Sequence, residues 1–382
     1  MTCAFAVIGA PREGSAQDRS TPPAVRLQLR LRANQVWVAE RGSRYADILQ
    51  STVDADLERA VGWTGASAHL DLLHSYSTSP NDLARTLQGI VLDDVETRHI
   101  RIYQAWMERR LADGRASLRL GIYDPKLEFG VIDSEESLIN PSFSVAPELA
   151  GSGPRGAPVF PSTSLGARLR LGYGANGYLQ LAALDALAGT VGDFAGLDAS
   201  FGRGALLITE AGAGTERGRL AFGAWRYTRP VPDLRDRRTG GVPAPRAARG
   251  AYALAERTFG AEPGEGRQAV LFTRVGVSDG DTSPYAGSWQ AGLRLRGVFD
   301  GRPGSTLALG ATQALMSGKF VRNAVQRRRP VSPMETVFEI SYSDQLLRGL
   351  RLQPDLQWVL HPAGGATSRD ACVFTLRATL DL

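Results

Sequence analysis

The chain has 382 residues, of which 43% are hydrophobic, with a formal charge of +5 and two cysteines. Mean hydropathy is −0.16, and no apolar run approaches the roughly 18 residues that a transmembrane helix needs, so a helical membrane protein is excluded. Cys3 and Cys372 are too few and too far apart for a disulfide framework or a zinc site.

In chain order, residues 1–16 contain a short apolar run, 4–10, and a cleavage-like point after Ala16, without a basic start. They are expected to be a signal peptide, atypical or truncated, with 17–382 forming a single barrel. From there period-two runs, bounded by Gly, Pro, Asp and Ser, predict about sixteen strands. They are 24–37, 45–58, 64–74, 96–109, 116–124, 164–172, 175–186, 204–211, 217–228, 248–259, 267–278, 288–298, 305–315, 334–343, 350–360 and 372–382. In the first, Val25, Leu27, Leu29 and Leu31 share one face and Arg26, Gln28, Arg30 and Arg32 the other. The last two alternate most cleanly: Leu352, Leu356 and Trp358 oppose Arg351, Gln353, Asp355 and Gln357, and Cys372, Phe374 and Leu376 oppose Val373, Thr375 and Arg377.

Ten or eleven alternating residues suit a tilted strand crossing a bilayer of about 30 Å. Dilution of lipid-facing residues by lumen-facing polar ones explains the low hydropathy. The expected fold is all-β: a transmembrane antiparallel β-barrel with an inward-folding long loop. Segments 75–95, 125–163, 230–246 and 319–333 are the long connections, and 125–163 is the one expected to fold inward and narrow a pore.

The segments Gly-Ile-Tyr-Asp-Pro-Lys-Leu-Glu-Phe at 121–129, Leu-Ile-Asn-Pro-Ser-Phe-Ser at 138–144 and Phe-Pro-Ser-Thr-Ser-Leu-Gly-Ala-Arg-Leu at 160–169 resemble elements of the carbohydrate-selective porin family of the OprB type. So do 271–280, 335–346 and 350–364, the last carrying Leu-Gln-Pro-Asp-Leu-Gln-Trp. Ile122 stands where that family usually has lysine, the first ninety residues match loosely, and Leu382 stands where many outer-membrane proteins have Phe. The resemblance implies a sixteen-stranded bacterial outer-membrane barrel passing sugars passively, without cofactor or metal. It also implies insertion by the barrel-assembly machinery. The expected partners are mono- or oligosaccharides, outer-membrane lipid and lipopolysaccharide, and, as a monomer or homotrimer, other copies of the chain.

Sugar selectivity calls for hydroxyl-matching donors and acceptors along the lumen. Alternation assigns Arg119, Arg168, Arg170, Arg274, Arg294 and Arg296 to the lumen, with Glu335, Glu339 and Asp355 as acidic partners. The family-like loop elements add Asp124, Glu128, Phe129, Asn140 and Phe143 near a constriction. For each arginine the competing role is solvation of a wide wall, and for the two phenylalanines packing as loop anchors. Trp37, Trp106, Trp289 and Trp358 are candidates for the interfacial girdle, with a sugar platform as the alternative and the girdle favoured for Trp358.

Other chemistries find little support. Gly172 to Gly177 satisfies G-x-G-x-x-G but precedes a strand, so it reads as a hairpin. His69 and His74 are five apart and fall on opposite strand faces, and Ser75, Ser77 and Ser79 beside His74 form the only suggestion of a barrel hydrolase. The arginines follow strand faces without a nucleic-acid motif, which leaves nucleic-acid binding unsupported. A general or anion-preferring porin, or a plugged structural barrel, remains an alternative.

Overall fold

Period-two sequence becomes strand wherever each residue's backbone finds a neighbour, and in hydrocarbon every backbone group must find one. The computed structural model describes residues 23–97, 99–189, 201–261, 266–329, 331–362 and 369–382, so the expected leader at 1–16 lies outside the described residues. The strands are β1 (Val25–Val38), β2 (Gly42–Asp56), β3 (Ala66–Ser77), β4 (Arg101–Leu111), β5 (Ala116–Tyr123), β6 (Ser164–Tyr173), β7 (Gly177–Asp185), β8 (Ala205–Thr215) and β9 (Gly218–Tyr227). There follow β10 (Val231–Arg237), β11 (Pro243–Arg246), β12 (Arg249–Gly260), β13 (Gln268–Ser278), β14 (Tyr285–Arg296), β15 (Thr306–Met316), β16 (Met334–Leu347), β17 (Leu350–Leu360) and β18 (Ala371–Asp381).

All but β10 and β11 form one closed antiparallel barrel of sixteen strands, in which β9 pairs with β12 and β18 closes on β1. The closing register runs from Arg30 opposite Asp381 to Val38 opposite Val373. Closure leaves no barrel edge unpaired. Outward positions such as Leu27, Phe222, Leu271, Phe338, Leu356, Trp358 and Phe374 are exposed apolar side chains, as a lipid-facing band requires. Connections 112–115, 174–176, 216–217 and 348–349 turn tightly at one rim, whereas 78–100, 124–163, 228–248 and 317–333 are long and share the other.

The long segments carry the short helices α2 (Pro80–Ala84), α3 (Pro141–Ser144), α4 (Pro147–Ala150) and α5 (Gly318–Gln326), while α1 (Leu57–Val61) lies at the short-turn rim. Residues 124–163 fold into the barrel. There Phe129, Ile132, Phe143, Val145 and Leu149 bury themselves against Tyr178, Leu184, Trp225, Tyr252 and Phe272 of the inner wall. The wall is thinned to receive them: a Cβ on Gly310 would stand 2.6 Å from the Phe143 ring. A second inner segment, with Ala84, Ile90 and Val91, covers Val36, Val337, Val359 and Val373.

Three departures from the sequence expectation have local causes. β4 begins at Arg101 rather than 96, because the preceding residues belong to the inner segment. The hairpin β10–β11 falls within 230–246, which reads as a loop because Pro232, Pro243 and Pro245 mask the alternation; as a two-stranded ribbon it has only edges, where proline is tolerated. Within 319–333, α5 is nine residues long and is started by the Ser317 side chain, which accepts from the Lys319 and Phe320 amides at 3.2 and 3.4 Å.

Candidate functional site: the narrowed lumen

What matters for passage is where the inward loop leaves polar groups uncovered. Its first half begins at Asp124, which accepts from the Tyr103 hydroxyl at 2.5 Å and from the Phe160 amide at 2.9 Å, tying the two ends of the loop together. Glu128 then grips Arg168 through both carboxylate oxygens, at 2.9 and 2.6 Å to Oε1 and 3.2 Å to Oε2. Arg168 also reaches Glu108 at 2.8 Å, and Arg119 joins Glu108 at 2.7 Å and Glu128 at 3.6 Å. Arg168 is buried by these contacts, while Arg119 stays half-buried.

The loop's middle is latched by carboxylates that project from the wall. Glu210 accepts the Gly130 amide at 2.7 Å, and Glu339 accepts the amides of Ile139 and of Asn140, the latter at 3.1 Å. Asn140 caps α3 by accepting from the Ser142 amide at 3.0 Å and donates to Gln357 at 3.0 Å, whose amide group in turn donates to Asp355 at 3.1 Å. Arg274 donates to the carbonyls of Gly130 and Ser142 at 2.8 and 3.1 Å. Glu335 performs the same task for the other inner segment, accepting from the Leu87 and Gln88 amides at 3.0 and 2.9 Å. The sequence-assigned lumen groups Arg168, Arg274, Glu335, Glu339 and Asp355 thus face inward but are buried beneath the loops. Asp124, Phe129, Asn140 and Phe143 are buried as well; Phe143 meets Phe272 edge-on at 6.3 Å.

Arg119, Arg170, Arg294 and Arg296 are less covered, all half-buried. Arg294 donates to the Asp133 carbonyl at 3.0 Å, and Arg170 lies 4.3 Å above the Tyr178 ring and 3.0 Å from Gln180. The acidic run 133–137 brings in residues that strand alternation misses. Asp133 and Glu136 are exposed on the loop, and Glu136 lies within electrostatic reach of Arg294 on β14, Arg30 on β1 and Lys126. Neighbouring Glu135 points the other way, into the wall against Gln290, and burial lifts its carboxyl to about 8. The signal for these residues is present in the sequence as five consecutive residues with three carboxylates inside a loop expected to fold inward.

Asp93 anchors the second segment between Arg32 at 2.5 Å and Arg377 at 3.2 Å, and accepts from Asn34 at 2.9 Å. Burial opposes its charge, but the two guanidiniums prevail and hold the carboxyl at about 2.

The aromatic candidates divide by strand face. Trp37, Trp289 and Trp358 point outward, Trp37 against Phe374 at 5.5 Å. Trp106 does not join the girdle: it shares the lumen face of β4 with Glu108, stacked on His69 at 4.8 Å and beneath Arg119 at 3.6 Å. Its two ring faces are therefore taken. His69 and His74 do lie on opposite faces, and His69 bonds Asp54 at 2.7 Å.

The carbohydrate-selective porin family, OprB, has a sequence model that matches residues 40–382. The chain belongs to this family. Among solved structures, the high-pH structure of Pseudomonas putida OprB superposes with a TM-score of 0.83 at 18% identity, covering 94% of each chain. The low-pH structure of that protein gives 0.58 at 14%, over 94% of this chain and 93% of the other. A mutant of Rh. blastica porin gives 0.54 at 13%, over 94% and 100%. No curated protein matches. The structural likeness shows the shared barrel, and the family match makes this carbohydrate porin a channel of the bacterial outer membrane rather than an enzyme. In such barrels the long loops face the exterior and the short turns the periplasm.

Proposed function

We propose that sugars cross this OprB-family porin through an off-centre opening between the loop carboxylates of Asp133 and Glu136 and an arginine-rich wall of Arg30, Arg32, Arg119, Arg170, Arg294 and Arg296. The observation that carries this reading is the contact between the acidic loop and the arginine wall, where Arg294 donates to the Asp133 carbonyl at 3.0 Å. Planar arginine forks donate to hydroxyls and stay charged, while the carboxylates accept. A sugar exchanges water hydrogen bonds for several weak contacts and is released because none of them is strong. Because Trp106 has both faces covered, polar contact outweighs ring stacking at its level. Asp124, Glu128, Phe129, Asn140, Phe143, Arg168, Arg274, Glu335, Glu339 and Asp355 act as positioning residues that set the loop's distance from the wall.

The surplus of arginine also favours a second reading, an anion-preferring pore. Planar-bilayer conductance separates the two. Concentration-dependent block by glucose or maltose supports sugar selection, whereas strong anion preference without sugar block supports the second reading. Absence of any conductance would sink both. Lipopolysaccharide, the assembly machinery and a monomeric or trimeric state belong to the same proposal and rest on the family alone.

A further inference from the structure

The outer rim holds a charged feature that the lumen does not use. Residues 228–248 and 317–333 together carry ten arginine or lysine side chains and only two carboxylates, Asp233 and Asp236. Those two are already engaged. Lys319 contacts both, at 2.5 and 2.7 Å, and also Asp281 at 2.8 Å, while Arg246 contacts both at 3.0 Å. This network ties the β10–β11 hairpin to α5 and the β13–β14 turn. Between the hairpin and α5 it leaves a cleft of about 560 Å³ lined by Leu234, Arg235, Asp236, Arg237, Asn323, Gln326 and Arg327.

The cations of the cleft have neutral partners. Arg235 donates to the side-chain carbonyls of Asn323 and Gln326 at 3.0 and 2.9 Å, which fix its guanidinium without cancelling its charge. Among the described residues Arg237 donates only to backbone carbonyls, those of Asp233 and Asp236, at 3.2 and 3.4 Å. Arg327, just past α5, has no acidic partner among the described residues. Three guanidiniums around one opening, with one already oriented, are a site for a doubly charged oxyanion, and phosphate matches the arginine fork. Asparagine, glutamine and the free oxygen of Asp236 supply the mixed donors and acceptors that hydroxyls need.

Position selects among phosphate sources. Phe320 and Val321 of α5 pack on Tyr285, Ala314 and Met316. Tyr285 reaches inward, donating to the Leu87 carbonyl of the inner segment at 2.8 Å. The helix therefore leans over the mouth and not out toward lipid. We propose that this cleft captures a soluble phosphorylated sugar from the exterior and presents it to the channel, an inference that rests on the sugar-channel reading above.

The test uses the full chain in planar bilayers, with glucose 6-phosphate, glucose and inorganic phosphate added to each side in turn, and equilibrium binding of the same probes in detergent. Replacing Arg235→Gln, Arg237→Gln and Arg327→Gln together should weaken glucose 6-phosphate binding about tenfold or more and leave glucose block unchanged. Arg327→Gln alone keeps the hairpin–helix bonds and should give a smaller loss in the same direction, which separates a lost ligand contact from a collapsed rim. Equal glucose 6-phosphate affinity in wild type and both variants would overturn the proposal. Inorganic phosphate binding as tightly as the sugar phosphate would remove the sugar from it. Purified lipopolysaccharide is the third probe: arginine-dependent binding of it alone would assign the cleft to the outer leaflet and overturn the soluble ligand. Glucose block of the wild type reports on the channel reading independently.

Discussion

Two segments fill the lumen, and they are held by different forces. Residues 124–163 sit on an apolar bed, with Phe143, Leu149 and Phe129 against the wall of β7 to β13, and their polar latches, Glu210 and Glu339, grip backbone amides. Residues 78–97 have a smaller apolar contact and depend on Asp93, set between Arg32, Arg377 and Asn34. A charged clasp titrates with its carboxylate, whereas an apolar contact has no group to titrate.

The comparison breaks most sharply at Phe143. Phe143→Ala opens a cavity over Gly310 and should cost about 3–5 kcal/mol, concentrated in the seat of 124–163. Single-channel conductance should rise and proteolysis within 124–163 should quicken, while 78–97 stays protected. Next is Asp93→Asn, which strands two guanidiniums. Removing one member of a buried ion pair costs about 3–5 kcal/mol, and partial exposure of Arg32 lowers the expectation to about 2. Because the folded carboxyl lies below its ordinary 3.8, its contribution is complete above that value and is lost as pH falls toward about 2. Acid should therefore release 78–97 before 124–163, as hydrogen exchange would register, and the variant should lose that acid step.

Glu135 sharpens the contrast from the other side. Its carboxyl is raised by burial to about 8 from an ordinary 4.5, so the seat of 124–163 is firmest below 4.5 and weakens as pH climbs to 8. Protease protection of this loop should decline with rising pH, and Glu135→Gln should flatten the profile. An unchanged slope in that variant would remove Glu135 from the account. The smallest effect on stability belongs to Arg294→Ser with Arg296→Ser, within about 0.5 kcal/mol. There the readout is function: sugar block should weaken severalfold and anion preference should fall. If neither changes, these arginines do not line the opening.

The sixteen barrel strands were legible because lipid on one side and water on the other write period two directly into sequence. The inward course of 125–163 could be expected from its length. Beyond that, alternation tells which way a side chain points but not what lies on top of it. Arg119 and Arg274 occupy equivalent faces in β5 and β13, yet one is half-buried and the other is covered by Gly130 and Ser142. Asp133 and Glu136 escaped for the converse reason: no strand period exists inside a loop, so nothing local distinguishes Glu136, exposed, from Glu135, buried one residue away. For Trp106 the sequence leaves girdle and lumen both open, and the choice is made only by its place on the face that Glu108 shares.

The pairing of β18 with β1 has a kinetic consequence. These strands lie at opposite ends of the sequence, and their register is marked by Arg30 and Asp381, an exposed pair at 2.5 Å. Such a pair adds little to equilibrium stability. Yet the cylinder cannot seal until the latest-made strand meets the earliest, across the greatest loop-closure distance that the chain contains. The inward loop is held by side chains from Tyr103 on β4 to Gln357 on β17, so the closing seam and the loop's latches are carried by different strands.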